Sequence, residues 1–416
     1  MNAEKTGLYV HFPFCRRKCP YCHFVSGTKG PGDFDKWRRG VEREADRYAD
    51  GGLEFDTLYI GGGTPSLLGP ADLRGLLDVL KARFSLRLRE LTLEANPSSF
   101  RQVEENMLRT SNEPMACPSS FQQGEDFILR TSSEPRACPS SNDDEKMLAG
   151  WAEAGVTRLS VGVQSFDDDV LDILGRESSE AQAADFVRLA RRAGFASIGL
   201  DLMVGVPGET RCGLIKTLAG VRRSTPDHVS LYILENVEGL PFEAVLRGNP
   251  VEDDVAADAF EFMAAGLEAE GLRRYEISNF ARPGHECLHN LKYWRYEPFL
   301  GLGPSAGSHI GNERWMNAPR LADWALALDE GRDPRAEIVS LRPDDLVKEA
   351  LVAGLRLARG IDVLEFKKRF GTDLFSRYKN ELADLARDGF LVQEGQSLRI
   401  PADRLLVSNA ILSRFV

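Results

Sequence analysis

The sequence predicts an α/β fold, a partial (β/α)6 barrel of the TIM type followed by a smaller α+β domain. Over about the first 280 residues, six short β-rich runs alternate with six segments of helical period. This alternation is typical of βα units around a parallel sheet, and right-handed crossovers curl such a sheet toward a barrel. Beyond residue 282 the alternation stops, and helices followed by two short strands predict a winged-helix-like end.

The predicted strands each precede a helix, in the order that a barrel requires. The strands are expected at Gly7–Phe12, Thr57–Gly61, Glu90–Glu94, Arg158–Gln164, Ser197–Val204 and Val229–Leu234. The helices are expected near 34–49, 70–83, 143–154, 181–193, 209–223 and 254–270. Functional residues of such a barrel lie where its parallel strands end, so we expect the site there.

Domain boundaries follow from the same pattern. We expect the barrel over 1–282, a connecting segment over 283–340 and the C-terminal domain over 341–416. Residues 97–117 and 118–138 are identical at 14 of 21 positions. Because both copies are polar and rich in Ser, Pro and Glu, residues 97–141 are predicted to be a flexible insertion rather than a solenoid.

Composition excludes several classes of protein. The net charge of −11 argues against a nucleic-acid-binding protein, which usually presents a basic surface. No apolar run is long enough to span a bilayer and no secretory signal is present, so we expect a cytoplasmic protein with at most peripheral membrane contact. Seven cysteines form no disulfide scaffold, and in a reducing compartment they favour thiolate ligands.

Three of those cysteines form a metal motif directly after the first predicted strand. Cys15, Cys19 and Cys22 lie within eight residues. Three thiolates on a short loop are typical of a [4Fe-4S] cluster that keeps one iron open to a small molecule. A zinc site is the alternative, with His23 as a fourth ligand, although structural zinc usually takes C-x2-C pairs. The basic residues between the first two cysteines are expected to lower the thiol pKa values.

The motif resembles that of the radical S-adenosylmethionine superfamily, C-x3-C-x2-C with an aromatic residue before the last cysteine. Tyr21 fills that place and is expected near the adenine. The segment from Tyr9 to Cys15 is similar to the opening of the oxygen-independent coproporphyrinogen III oxidase group. Gly61-Gly-Gly-Thr-Pro65 resembles the loop that holds the methionine amine, where glycine allows the backbone to approach a ligand closely.

The resemblance extends to polar residues at successive strand ends. It implies S-adenosylmethionine contacts from Tyr9, Tyr21, Gly62, Gly63, Thr64, Glu94, Gln164, Arg176 and Asp201. Taken singly, a Glu or Arg at a strand end is more often a solvated or ion-paired surface residue. The prediction depends on the whole set recurring in order along the chain.

A further motif favours one branch of this group, the HemW-type heme chaperones. The chain has Phe24 where the coproporphyrinogen oxidases carry a fourth cysteine, and it reads His289-Asn290-Leu-Lys-Tyr293-Trp294 near the barrel's end. The resemblance implies heme contacts from His289, Asn290, Tyr293 and Trp294, with His289 the expected iron ligand. Imidazole is a common axial ligand and the aromatic rings suit a porphyrin. Core packing is the alternative interpretation.

Three positions depart from the family pattern. Ser178 stands where Leu-Gly-Arg-x-His has its histidine, and Gly307 stands where Ala-His-Ser has its own, with His309 two residues later. His23 follows the third cysteine, where Asp is common. Cluster binding is expected to remain intact despite these changes.

The expected function is that of a heme chaperone with a [4Fe-4S] cluster, S-adenosylmethionine and heme. Its partners are heme, a heme-acceptor protein and a reductant for the cluster. One alternative is the oxidative decarboxylation of coproporphyrinogen III by radical chemistry, and another is a scaffold without activity. Anaerobic assay with that porphyrinogen separates the first alternative from the chaperone.

Overall fold

The computed structural model describes residues 5–99 and 142–415. The predicted insertion therefore lies almost wholly outside the described residues. The strands are β1 Thr6–Phe12, β2 Phe14–Cys15, β3 Gly27–Thr28, β4 Glu54–Gly62, β5 Ser85–Ala95, β6 Arg158–Gln164, β7 Ser197–Val204, β8 His228–Ile233, β9 Arg273–Arg274, β10 Asn279–Ala281, β11 Phe299–Leu302, β12 Gly307–Ile310, β13 Glu313–Asn317, β14 Arg335–Ser340, β15 Ile361–Asp362, β16 Val392–Glu394 and β17 Ser397–Arg399.

The helices occupy the connections between these strands and most of the C-terminal part. They are α1 Asp33–Asp46, α2 Pro70–Lys81, α3 Asn142–Ala154, α4 Asp168–Ile173, α5 Glu180–Arg192, α6 Arg211–Ser224, α7 Glu243–Gly248, α8 Asp253–Ala269, α9 Leu288–Trp294, α10 Leu321–Asp329, α11 Pro343–Gly354, α12 Val363–Phe370, α13 Leu374–Arg377, α14 Lys379–Arg387 and α15 Ser408–Leu412. No helix in the described part of the chain is long and apolar enough to cross a membrane.

The six predicted strands are confirmed as consecutive parallel neighbours. Within the described residues, one sheet of twelve strands has the order β14-β13-β12-β11-β1-β4-β5-β6-β7-β8-β10-β9. Strands β1, β4, β5, β6, β7 and β8 pair in parallel. Because each is followed by a helix, the α/β partial barrel is confirmed, and its carboxyl ends form one mouth.

Successive side chains of a strand point to opposite faces of the sheet, so one face packs into the apolar core under the helices and the other lines the interior of the barrel. On β1, Leu8, Val10 and Phe12 are at most 2% exposed and pack against the helices, and the Phe12 and Trp37 rings lie 5.1 Å apart. The residues between them, Tyr9 and His11, have the opposite direction. Tyr9 and His11 therefore face the barrel interior and not the helix layer.

Four strands that the sequence analysis did not predict extend the sheet beyond β1. Strand β11 pairs with β1 in parallel, and β12, β13 and β14 follow in antiparallel order. The Glu44 carboxylate of α1 binds this extension, because it accepts from Gly303 N at 2.8 Å, Asn317 Nδ2 at 2.7 Å and Trp324 Nε1 at 3.1 Å. Part of the segment expected only to connect two domains thus belongs to the barrel's own sheet.

The C-terminal part is confirmed as an α+β unit of helices with a small sheet. Strands β15, β17 and β16 form an antiparallel sheet of three, and helices α11 to α15 surround a separate apolar cluster. The buried members of that cluster include Leu351, Phe366, Leu382, Leu398 and Ile411.

Two glycines in helices give a matched test of packing. A Cβ added at Gly40 of α1 would lie 2.3 Å from Trp324 Cζ3, whereas one at Gly75 of α2 has no atom within 4 Å. We expect Gly40→Ala to destabilise the protein by about 1–3 kcal/mol, since the indole must move. Gly75→Ala is expected to stabilise it by about 0.5–1 kcal/mol through helix propensity. Thermal melting of both variants measures this, and equal shifts would contradict the α1–α10 contact.

Candidate cofactor site at the barrel mouth

The three motif cysteines lie on the loop that leaves the carboxyl end of β1. Cys15 ends the short strand β2, and Cys22 N donates to the carbonyl of Cys19 at 3.1 Å, closing a turn. All three thiols are half-buried and free of disulfides. The structure therefore presents three accessible sulfur donors on one loop, as the spacing predicted.

Arg176 connects this loop to two neighbouring strands. Its Nη1 lies 3.5 Å from Cys19 Sγ, and its Nη2 donates to Asn96 Oδ1 at 3.1 Å and to the carbonyl of Gly162. The structure thus brings together Cys19 and Arg176, which lie 157 residues apart in sequence. Asn96 belongs to this set and was not predicted.

At Cys22 the expected lowering of the thiol pKa by the basic residues is outweighed by burial. Burial raises the pKa of the Cys22 thiol, and the positive charge of Lys18 lowers it only in smaller measure. The basic side chains have other partners: Lys18 Nζ donates to the carbonyl of Phe24, and Arg16 Nη1 donates to that of Ser98, both at 3.0 Å. They hold the loop in place more than they activate its sulfurs.

Tyr21 lies on an apolar patch beside the cysteines. Its ring meets Phe242 edge to face at 6.2 Å, and it packs against the cluster of Val170, Leu174 and Val206. An aromatic ring held in this way offers a flat surface next to the three cysteines.

The glycine loop after β4 packs directly against the start of the cysteine loop. Gly63 N donates to the carbonyl of Phe12 at 2.7 Å, and Thr64 N donates to that of Phe14 at 2.8 Å. Gly62 has a φ of 110°, and a Cβ there would lie 2.5 Å from the His11 ring. A side chain at this position would clash, so glycine is required for the close approach of the two loops.

Glu94 lies beneath the glycine loop, partly buried in the barrel interior. Its Oε1 accepts from Tyr59 Oη at 2.9 Å and its Oε2 accepts from Gly62 N at 3.0 Å. Burial raises the Glu94 pKa to about 7, and the nearby charge of Asp201 adds to the shift. A carboxylate with a raised pKa near the mouth favours a cationic group that would relieve this cost.

Asp201 and Gln164 complete the far side of the mouth. Ser160 Oγ donates to Asp201 Oδ1 at 3.0 Å, and Gly162 is the register partner of Asp201 across β6 and β7. Gln164, the last residue of β6, has a φ of 71°. This left-handed conformation is uncommon outside glycine and is found at functional sites.

Several polar residues of the barrel interior were not predicted from the sequence. Tyr59 and His11 lie there, with Tyr9 Oη and His11 Nδ1 3.0 Å apart and the Tyr9 and Tyr59 rings 6.1 Å apart. Their signal was available, because polar residues recur with period two within otherwise apolar strands. Ser160 and Tyr232 follow the same pattern.

The His-Asn-x-x-Tyr-Trp motif forms helix α9, which lies at the amino ends of the strands, opposite the cysteines. Glu90 caps its first turn, since the carboxylate accepts from Leu288 N and His289 N at 3.0 Å each. His289 is 1% exposed, and its Nδ1 and Nε2 each lie 2.9 Å from a hydroxyl, of Thr57 and Tyr293 respectively. Burial lowers the His289 pKa to about 3, so this ring is neutral.

The other two motif residues belong to the adjacent face of α9. Asn290 and Trp294 lie four residues apart and are half-buried. The guanidinium of Arg356 lies 5.7 Å from the centre of the Trp294 ring. The motif residues therefore face two ways. His289 points toward the barrel interior, where its ring centre lies 5.4 Å from that of Tyr59, and Trp294 points toward the C-terminal domain.

Two family models match separate parts of the chain. The model of the radical SAM superfamily matches residues 9–219, and that of the HemN C-terminal domain matches residues 341–403. In overall fold the chain is similar to the coproporphyrinogen III oxidase HemN of Escherichia coli, described as a radical SAM enzyme. The TM-score is 0.78 at 22% identity, over 100% of this chain and 91% of that one.

Two relatives align along nearly their whole lengths. Heme chaperone HemW of Mycobacterium tuberculosis (strain CDC 1551 / Oshkosh) is 31% identical, over 99% of this chain and 95% of the relative. Heme chaperone HemW of Bacillus subtilis (strain 168) is 27% identical, over 98% of both chains. With the cysteine loop and the glycine loop placed at one barrel mouth, the chain belongs to the radical SAM superfamily and, within it, to the HemW family.

Proposed function

We propose that the chain is a heme chaperone that holds a [4Fe-4S] cluster and S-adenosylmethionine at the barrel mouth and passes heme to an acceptor protein. The observation that carries this proposal is the pairing of two sites in one fold. A cysteine loop with its polar surroundings lies at one end of the barrel, and a helix with the His-Asn-x-x-Tyr-Trp motif lies at the other. The names of the full-length relatives support the same function.

The cluster is proposed to bind Cys15, Cys19 and Cys22. Thiolates on a short loop are the usual ligands of iron–sulfur clusters, and three of them leave one iron open. No three His, Cys, Asp or Glu side chains in the described residues are arranged to hold a single metal ion. When bound and reduced, such a cluster supplies an electron to S-adenosylmethionine.

The residues around the loop fit the groups of S-adenosylmethionine. The Glu94 carboxylate suits the methionine ammonium, beside the backbone of Gly62, Gly63 and Thr64. Asp201 suits hydroxyls of the ribose, and Tyr21 offers its ring to the adenine. Further polar contacts are proposed from Tyr9, Gln164 and Arg176.

Heme is proposed to bind at the α9 motif. Tyr293 and Trp294 line a cavity beside the helix. Ligation of heme iron by His289 would require its ring to leave Thr57 or Tyr293, because both nitrogens are hydrogen-bonded in the structure. An acceptor protein and a reductant for the cluster complete the proposed function.

Anaerobic reconstitution followed by heme titration tests the proposal. We expect about four irons per chain from the cluster, with matching sulfide, and one tightly bound heme whose Soret absorbance saturates at one equivalent. Iron and sulfide are counted before heme is added, so that the two sites are measured separately. A full cluster without heme binding would contradict the chaperone function, while the family assignment would stand.

A further inference from the structure

A cavity of about 380 Å³ lies between the end of α9, the hairpin β12–β13 and helix α11. This volume is in the range of small-molecule sites in proteins. Its walls are mainly aromatic and apolar, with one histidine and one thioether among them. The residues that concern the argument are Trp294, Tyr296, Phe299, His309, Met316 and Arg356.

His309 lies within an aromatic wall of this cavity. It is 8% exposed, and its ring centre lies 4.4 Å from that of Tyr296 and 6.2 Å from that of Phe299. Tyr296 has a φ of 55°, a left-handed conformation unusual for an aromatic residue. Its hydroxyl donates to Glu349 Oε2 at 2.6 Å, which holds the ring against His309. The surroundings of the imidazole are therefore flat, apolar and fixed in position.

His309 lies two residues after Gly307, the position at which the family pattern has a histidine, and both residues belong to β12. Residues two apart on β12 point to the same face, so His309 has the same direction as a side chain at 307 would have. Both positions line the cavity. A Cβ at Gly307 would lie 3.0 Å from Met316 Sδ, so the thioether occupies the space that the glycine leaves. Strand β12 thus presents His309 and its neighbour β13 presents Met316 to one cavity, and both residue types are common ligands of heme iron.

Four charged residues line the cavity, the glutamates Glu337 and Glu349 and the arginines Arg314 and Arg356, and it is the two arginines that suit a ligand with carboxylates. Arg356 stacks on Trp294 and its Nη2 donates to the neutral amide oxygen of Asn409 at 3.0 Å. Arg314 Nε lies 3.2 Å from Glu349 Oε1, so a ligand carboxylate would compete with Glu349 for the Arg314 guanidinium. Arginine binds carboxylates through paired hydrogen bonds. A planar apolar ring with acidic substituents and a metal fits this combination.

We propose that heme binds in this cavity with His309 as an iron ligand, and that His289 acts through Tyr293 as a positioning residue. The proposal rests on the proposed heme-chaperone function. His289 holds the Tyr293 hydroxyl, and the Tyr293 ring meets Phe299 edge to face at 4.6 Å. Loss of His289 would therefore disturb the wall without removing the ligand.

Heme titration of the cluster-loaded full chain, followed by Soret and electron paramagnetic resonance spectra, tests this assignment. His309→Ala is expected to weaken heme binding at least about tenfold and to change the spectrum of the bound heme. Imidazole added to His309→Gly is expected to restore the original spectrum. His289→Ala should bind heme more weakly with the original spectrum, because the ligand remains.

Two controls keep the result interpretable. His285→Ala removes a half-buried histidine outside the cavity and should leave heme affinity and spectrum unchanged. Gly307→Leu keeps His309 but fills the cavity, so it should weaken heme binding even where His309→Ala does not fold. Wild-type spectrum and affinity in His309→Ala would overturn the inference while the chaperone function stands. Absence of heme binding in the wild-type chain would overturn both.

Discussion

Cys19→Ala is expected to reduce the iron content from about four per chain to below about one, because two thiolates do not retain a cluster that needs at least three. The same variant also removes the sulfur that Arg176 contacts at 3.5 Å. The half-buried loop leaves the apolar core intact, so the melting temperature of the cluster-free protein should change little. Iron and sulfide analysis after anaerobic reconstitution, with the visible absorbance of the cluster, measures the effect.

Cys287→Ala is the matched control for this prediction. Cys287 is 1% exposed and its Sγ donates to Glu90 at 3.4 Å, at the other end of the barrel. Removing this thiol should leave iron at the wild-type value. Full iron in Cys19→Ala, or equal losses in both variants, would show that the cysteine loop is not the cluster site.

The sequence predicted the parallel part of the sheet well because those strands are buried on one face and uniformly apolar there. Strands β11 to β14 were missed for physical reasons. Strand β11 contains Gly301 and is followed directly by Gly303, and β14 is exposed along almost its whole length. Short strands at the edge of a sheet lack the burial pattern that sequence analysis detects.

In the candidate site too, some features were predictable from the sequence and others were not. The cysteine and glycine loops were predictable because each is a local motif whose chemistry depends on spacing. The contacts that join them are not local: Tyr59 and Glu94 lie 35 residues apart, and Arg176 reaches Asn96 across 80 residues. Such pairs follow from strand order and register, which the sequence alone does not supply.

In helix α9 the motif predicts the residue types but not the direction in which their side chains point. The sequence identified His289 as a residue type suited to heme, but not which way the helix turns it. With 3.6 residues per turn, residues 289 and 293 share one face, and that face meets the buried ends of β1 and β4. The direction of the His289 imidazole is decided by tertiary packing, and the histidine beside the cavity, His309, comes from strand β12 and not from this helix.

Glu94→Gln is expected to raise the dissociation constant of S-adenosylmethionine about ten- to a hundredfold, the effect of losing a charged hydrogen bond in a partly buried site. The position should tolerate the change, since glutamine keeps an oxygen for Tyr59 or Gly62 N. Equilibrium dialysis of cluster-loaded protein without reductant measures the affinity while no cofactor is consumed. Glu54→Gln, the same substitution at the start of β4, is the control and should leave the affinity unchanged.

The pH dependence of the same measurement identifies the carboxylate. Burial raises the Glu94 pKa to about 7, so the ionised form that pairs with the ammonium is lost as the pH falls through that value. Wild-type affinity should therefore rise from pH 6 toward a maximum between about 7 and 8, above which the ligand's own amine loses its proton. In Glu94→Gln both the rise below pH 7 and the fall at higher pH should flatten, because the ion pair that produces them is gone. An unchanged profile in the variant would assign the ammonium to another partner. Asp201 is then the candidate, because its charge acts on Glu94 and burial raises the pKa of Asp201 as well.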